Sequence, residues 1–374
     1  MIKIDEIRTA SELAGVTDEW LALLERYSPG NVFLSPQFVA CWWRHFGAGS
    51  ELRVYVAREG GELVGVAPMA IGRESYSGLP ARMLKFLSNK HTSRADFVVP
   101  QRHEQVMAAF ARHWLDNRHE WDVLRLVDVP GTSPALQALA GQMKEAGCSA
   151  FPIESSRQLC TLPLQGTFEQ YRAQQPKKFR ENLCYYHNLL KRAPDARTEK
   201  HVDAAAVRPA MARLFELASR SWKASDAIAA LDPAEQAFYT DLAEMLAPDG
   251  GFDCRFLMLG ERTVGGLFSL VFGRVFYPML IYYDPEQSKL APGRQLIQAV
   301  VQECWAGGRI GMIDFNGDSL FVRSWATCTH DYMLFSACHG RLYSRALAGL
   351  KRIKRLFRSG GAAETSGVAE GAKA

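Results

Sequence analysis

A repeat constrains this chain more than any other feature. Residues 52–71 read LRVYVAREGGELVGVAPMAI: apolar side chains alternate, Gly60-Gly61 interrupts, and the alternation resumes. Period two on either side of a double glycine predicts an antiparallel hairpin, because glycine takes the positive φ that a tight turn demands. Residues 255–272, RFLMLGERTVGGLFSLVF, repeat the pattern with a turn at Gly260–Arg262. Val64-Gly65 and Val264-Gly265 stand 200 residues apart. Helical periodicity precedes each hairpin, at 36–46 in the first half and at 178–192 and 207–223 in the second. The expectation is two related α/β units.

Strands follow both hairpins. In the first half, MLKFLS (83–88), the polar stretch NKHTSRAD (89–96) and FVV lead to helices over 102–118 and 133–146, with the buried strand WDVLRLVDV (121–129) between them. The boundary is expected near 150–165. In the second half RVFYPMLIYYD (274–284) reads as a strand containing the disfavoured Pro278, then come a loop (285–293), a helix (294–308) stopped by Gly307-Gly308, and the strand RIGMIDF (309–315). Strand, loop, helix and strand make one α/β layer unit.

Composition narrows the partners. At 48% hydrophobic and 22% charged, the chain builds ordinary cores and is neither disordered nor disulfide-stapled. Its formal charge of +4 divides into +7 over 341–358, −1 over 359–374 and −2 over 1–340. The body is mildly acidic, so no nucleic acid is expected as a partner. The segment 341–358, RLYSRALAGLKRIKRLFR, is a basic amphipathic helix with seven basic residues and no acidic one. It suits an anionic membrane or an acidic partner such as an acyl carrier protein; equally, it suits docking on the domain with a solvated basic face. Residues 359–374 lack periodicity and are expected to be disordered. The N-terminus has no apolar signal region, and no stretch approaches the roughly 18 apolar residues of a membrane span. The expected location is cytoplasmic, at most peripheral on the inner membrane face. The eight cysteines form no C-x-x-C pair and the nine histidines are dispersed, so reduced, packed thiols and no metal are expected. His91 and His187 read as surface residues.

The chemistry concentrates at LAPGRQLIQ (290–298). Glycine admits a ligand to the backbone, and the first-turn amides of a helix have no intrahelical partner, so Ala291, Pro292, Gly293, Arg294, Gln295 and Leu296 form a candidate anion site. The competing reading is an ordinary helix start with proline in its first turn.

Hairpin, strand, glycine-containing loop, helix and strand, in this order, resemble the acyl-CoA-binding core of the GNAT acyltransferases. KFRENL (178–183), SWKAS (221–225), YYD (282–284), LAPGRQLI (290–297), DFNGD (314–318), NVFLSPQFVACWW (31–43) and LVGVAPM (63–69) are similar to the CelD/BcsL-type branch, linked to bacterial exopolysaccharide synthesis. The tandem arrangement also resembles the Fem-type peptidyltransferases. The resemblance implies a mixed-sheet α/β fold of two tandem GNAT-like units: a degenerate one at 1–160, an acyl-CoA-binding one at 161–340, and the basic helix behind them. It implies direct attack of an amine on an acyl-CoA thioester, with no metal. Asp314 or Asp318 would bind or deprotonate the amine, and Tyr283 would protonate the leaving thiolate. Trp222, Lys223, Tyr282 and Arg323 would line the acceptor side. Arg323 follows Phe321-Val322 where members usually carry a tyrosine-lysine pair. Arg180 and Asn182 face solvent or the groove between units. Ser93 and Asp96 occupy the corresponding polar loop of the first half, which lacks a Pro-Gly junction and is expected to have lost the donor site.

Overall fold

The computed structural model describes residues 1–193, 195–221 and 230–364, with backbone alone over 356–364. In chain order the elements begin with β1 (Ile2–Ile7), α1 (Ala10–Ala14), α2 (Thr17–Tyr27), α3 (Pro36–Phe46), β2 (Ser50–Glu59), β3 (Glu62–Tyr76) and β4 (Leu79–Phe86). There follow α4 (His103–Asp116), β5 (Val123–Pro130), α5 (Pro134–Glu145), β6 (Ser149–Ala150), β7 (Glu154–Pro163), α6 (Phe168–Gln174) and α7 (Lys177–Arg192). The rest are β8 (Ala196–His201), α8 (Val207–Arg220), α9 (Pro233–Leu246), β9 (Phe252–Leu259), β10 (Arg262–Phe272), β11 (Val275–Tyr283), α10 (Pro292–Gly307), β12 (Met312–Asp314), α11 (Leu320–Arg323), β13 (Cys328–Cys338) and α12 (Leu342–Glu364). Helix starts follow their caps: Thr167 with Gln170 closes a capping box on α6, Asp232 with Glu235 one on α9, and Ser133 caps α5. No helix among the described residues is long and apolar enough to cross a membrane.

The fold is mixed α/β in two compact units. They do not follow a single cut near 160. The first comprises 1–27, 47–156 and 332–374, and the second 28–46 and 157–331. The helix at 36–46, read as the partner of the first hairpin, belongs to the second unit. Its apolar side is taken by α9: Phe38 meets Phe238 ring to ring at 5.7 Å, and His45 Nε2 lies 2.9 Å from Asp241.

Each unit holds a path of six strands in the same order, with β6 paired to β13 beside the first. In the first the order is β1, β2, β3, β4, β5 and then residues 332–338 of β13; in the second it is β8, β9, β10, β11, β12 and then residues 157–163 of β7. The first four strands of each set are antiparallel, the fourth and fifth are parallel, and the last is antiparallel again. A parallel pair needs a crossover, and α4 or α10 supplies it. The sixth strand of the first unit comes from beyond the second unit in sequence, and that of the second unit opens its own segment ahead of β8, neither of which periodicity reveals.

Irregularities repeat as well. Gly60 and Gly61 take φ of 58° and 93° in the first hairpin, and Gly260 takes 55° in the second. Val64 and Val264 are each skipped by the register and form bulges. The first unit's core packs Trp114, Phe110 and Leu124 against Phe97 and Phe335. A smaller cluster of Tyr76, Val123 and Phe151 receives Leu347 of α12. Thus α12 is docked through Leu347 and Ala348, and its backbone runs to Glu364, into the stretch expected to lack structure.

Candidate functional site

In the second unit β11 and β12 part almost at once. They run parallel for two residue pairs, Val275 with Met312 and Phe276 with Ile313. Asp314 then pairs with Thr161 of β7, and β11 presents Pro278, which has no N–H to donate. Met279 is the extra residue of a bulge against β10, between the pairs Ser269–Pro278 and Phe268–Leu280. It has no opposite residue on either neighbouring strand among the described residues. Across the gap, Asn316 Nδ2 donates to the Met279 sulfur at 3.2 Å.

The helix α10 starts beside this wedge. Its N-cap, Ala291, sits in the left-handed region at φ 48°, and no side chain caps the first turn. The close approach of α10 to the sheet depends on glycine: a Cβ on Gly265 would lie 2.7 Å from that of Pro292, and one on Gly293 3.1 Å from Ile281 Cδ1. The preceding turn, Pro285–Leu290, is pinned by the buried Asp284, which accepts from Arg262 at 2.5 Å and from the Glu286 amide at 3.0 Å. Arg294 places its guanidinium over the rings of Tyr186 and Phe321, 5.6 and 5.3 Å from their centroids. Gln295 is buried and donates to the carbonyl of Tyr186, and Leu296 is in the core. Of the six donor-side residues, Ala291 to Arg294 thus form the junction, while Gln295 and Leu296 anchor the helix.

The acceptor-side residues separate. Asp314 has no exposed surface; its Oδ1 accepts from the Asn316 amide at 3.1 Å, a local turn that leaves Asn316 at φ 52°. The Asp318 side chain is 56% exposed and pairs with Arg323 at 3.4 Å; Arg323 also reaches the Asp318 carbonyl and Gln158. Of the two carboxylates read as candidates for the amine, Asp314 is buried and Asp318, past the turn at 314–316, lies at the surface. Tyr282 and Tyr283 point to opposite faces, as alternation requires. Tyr283 is opposite Gly265, which lies against α10, and Tyr282 is opposite Gly266, which lies against Leu214 and Leu217 of α8. Burial pushes the Tyr282 hydroxyl up to about 12. Trp222 and Lys223 lie outside the described residues. On α7, Phe179 and Leu183 are buried while Arg180 and His187 are exposed.

The first half's polar loop is not a surface loop. His91, Ser93 and Asp96 are all buried. Asp96 accepts from the Tyr27 hydroxyl at 2.7 Å and from Ser133 at 2.8 Å, tying α2 to the start of α5. Burial raises its carboxyl to about 6. Five cysteines are buried, Cys148 and Cys328 are half-buried and Cys184 is exposed; all eight are free thiols.

Four contributors were given no role in the sequence reading, although Asp284 and Asn316 lie in its YYD and DFNGD motifs. Met279, Asn316, Asp284 and Tyr186 line or hold the site; only Pro278 signalled the break in β11. The arrangement offers uncapped helix amides and Arg294 for an anion, a wedge for an extended thioester, an unladdered backbone at Met279 to polarise a carbonyl, and exposed carboxylate at Asp318.

Residues 177–321 match the sequence model of the acetyltransferase (GNAT) domain, a span running from α7 to α11. The matched span lies within the second unit, which is thus similar to the GNAT acetyltransferase domain. That places the chain among enzymes of the acyltransferase class. No curated protein sequence matches the chain. Its fold is similar to that of FemX, at TM-score 0.63 and 12% identity over 92% of this chain and 100% of that one. It is also similar to L-PGS from Bacillus licheniformis, at TM-score 0.54 and 11% identity over 93% of this chain and 98% of that one. At such identities the likeness is one of fold.

Proposed function

We propose that this GNAT domain transfers an acyl group from coenzyme A to a primary amine. What carries the proposal is the coincidence, within the matched span, of the uncapped α10 start with the wedge between β11 and β12. The first-turn amides and Arg294 would hold the pyrophosphate, and the thioester would enter the wedge beside Met279. The amine nitrogen attacks the carbonyl carbon, the C–S bond breaks, and the thiolate leaves with a proton. Asp318, exposed four residues past Asp314, would be the carboxylate that meets the ammonium. Asp314 shapes the turn that presents it. Tyr283, on the α10 face, would supply the thiolate's proton.

In this reading the CelD/BcsL-like motifs favour an amino sugar or related amine of cell-surface polysaccharide synthesis as the acceptor, and the enzyme works in the cytoplasm. The donor test is release of free thiol from a series of acyl-CoA esters when amines are supplied. Turnover that is absent with every ester and amine, with no thermal shift by any ester, would overturn it and favour a non-catalytic scaffold.

The FemX-like fold over 92% of the chain supports a second reading, in which the donor is an aminoacyl-tRNA. Several phosphate contacts would then make binding fall steeply with salt. The charge of −2 over residues 1–340 weighs against it. A third donor, an acyl carrier protein, would dock on the basic helix.

A further inference from the structure

The first unit repeats the strand divergence of the second. Its β4 and β5 run parallel from Met83–Val123 to Lys85–Arg125 and then part. Three residues past Arg125, Asp128 takes a left-handed φ of 61°; three past Ile313, the last parallel position of β12, Asn316 takes 52°. The crossover helices match as well, since α4 starts from the left-handed Arg102 and α10 from the left-handed Ala291, both without a side-chain cap. At the first unit's divergence lies a cavity of about 180 Å³, bordered by Glu74, Lys85, Ser88, Asn89, Arg125 and Asp128. That is space for about six waters at ~30 Å³ each.

Two acidic and two basic side chains border it. Lys85 and Glu74 pair with each other. Asp128 accepts from the Ser156 hydroxyl at 3.0 Å. Arg125 is half-buried, and beyond the backbone ladder its side chain makes no hydrogen bond or ion pair with any described residue. Arginine does not shed its charge, and withdrawing an uncompensated cation from water is costly. Its counterpart in the second unit is the apolar, fully buried Ile313, so the guanidinium is not a requirement of the strand position. Arginine's planar fork suits oxygens of a carboxylate or phosphate, taken two at a time.

We infer that the first unit binds a small anion, a carboxylate or phosphate group, at Arg125 in this cavity. Lys85, Ser88 and Asn89 supply further donors at its edge. The cavity takes the anionic group and not a nucleotide. The site is separate from the α10 junction and stands whether or not that junction binds coenzyme A.

Calorimetric titration of the full chain with inorganic phosphate, and separately with acetate, at constant ionic strength tests it. Saturable binding of phosphate assigns a phosphoryl ligand, and of acetate alone a carboxylate. Arg125→Met is expected to weaken that binding about tenfold or more, while Arg294→Met leaves this component in place. Should Arg125→Met fail to fold, Arg125→Lys must still weaken it, because the fork is lost. No saturable binding of either anion, or binding that Arg125 variants leave as in the parent chain and Arg294→Met removes, overturns the proposal.

Discussion

Gly265 lies so close to Pro292 that a Cβ would stand 2.7 Å from the proline's own. The glycine follows the bulged Val264 on β10, and the proline is the first residue of α10. The first unit has the same relationship: a Cβ on Gly65, after the bulged Val64, would meet Val106 of α4 at 2.8 Å. In each unit a missing side chain sets how near the crossover helix comes to the hairpin. In the second unit that distance also sets where the helix amides point.

Gly265→Ala is therefore expected to displace the start of α10 and to destabilise the chain by about 1–3 kcal/mol, as overpacking does. Urea denaturation measures the loss. Acyl-CoA affinity should fall with it. Gly65→Ala should carry a smaller penalty, because a valine side chain yields more readily than a proline ring.

Arg294→Ala should raise KM for acyl-CoA about tenfold and leave kcat nearly unchanged, the mark of a group that binds ground and transition states alike. Steady-state kinetics across donor concentration read this directly. An unchanged KM would remove Arg294 from the donor site.

Asp318→Asn is expected to lower kcat/KM for the amine about a hundredfold with KM for the donor unaltered, consistent with loss of a proton-handling or charge-pairing group. Asp314→Asn should act through stability instead, since its carboxylate is buried beneath the turn. If both variants keep full turnover, the acceptor site has been misassigned.

The Asp96 carboxyl, near 6 in the fold and near 3.8 when unfolded, predicts a pH dependence. Between those values the folded state holds the extra proton, so this group's contribution to stability is present below pH 4 and is lost as pH rises to about 6. Asp96→Asn should flatten the stability profile in that window, as followed by denaturant unfolding at each pH. An unaltered profile would mean that another group titrates there.

Deleting 341–374 will not separate the carrier-protein reading from the coenzyme A reading, because Leu347 and Ala348 are buried in the first unit. Reversing the exposed Arg345, Arg352 and Lys354 to Glu spares that contact. Activity with free acyl-CoA should persist in the triple variant. Activity with an acyl carrier protein, if carrier docking uses this helix, should fall about tenfold or more.

Local chemistry was legible in the sequence wherever it is local. Alternation with Gly60-Gly61 and Gly260 sufficed for both hairpins, Gly307-Gly308 for the end of α10, and the Val-Gly repeat for the duplication. Proline-glycine at 292–293 marked the junction, since φ preferences and missing amides travel with the residue itself. The sequence did not reveal which strand closes each sheet, that 28–46 packs with α9, or that β11 and β12 separate after Phe276. Nor did it reveal that His91, Ser93 and Asp96 are buried while Asp318 is exposed. Those outcomes depend on which surfaces meet between elements far apart in the chain, from 37 residues for Ser133 and Asp96 to 200 for Phe38 and Phe238. Hydrophobic period specifies that a face must be covered, and only tertiary packing chooses what covers it.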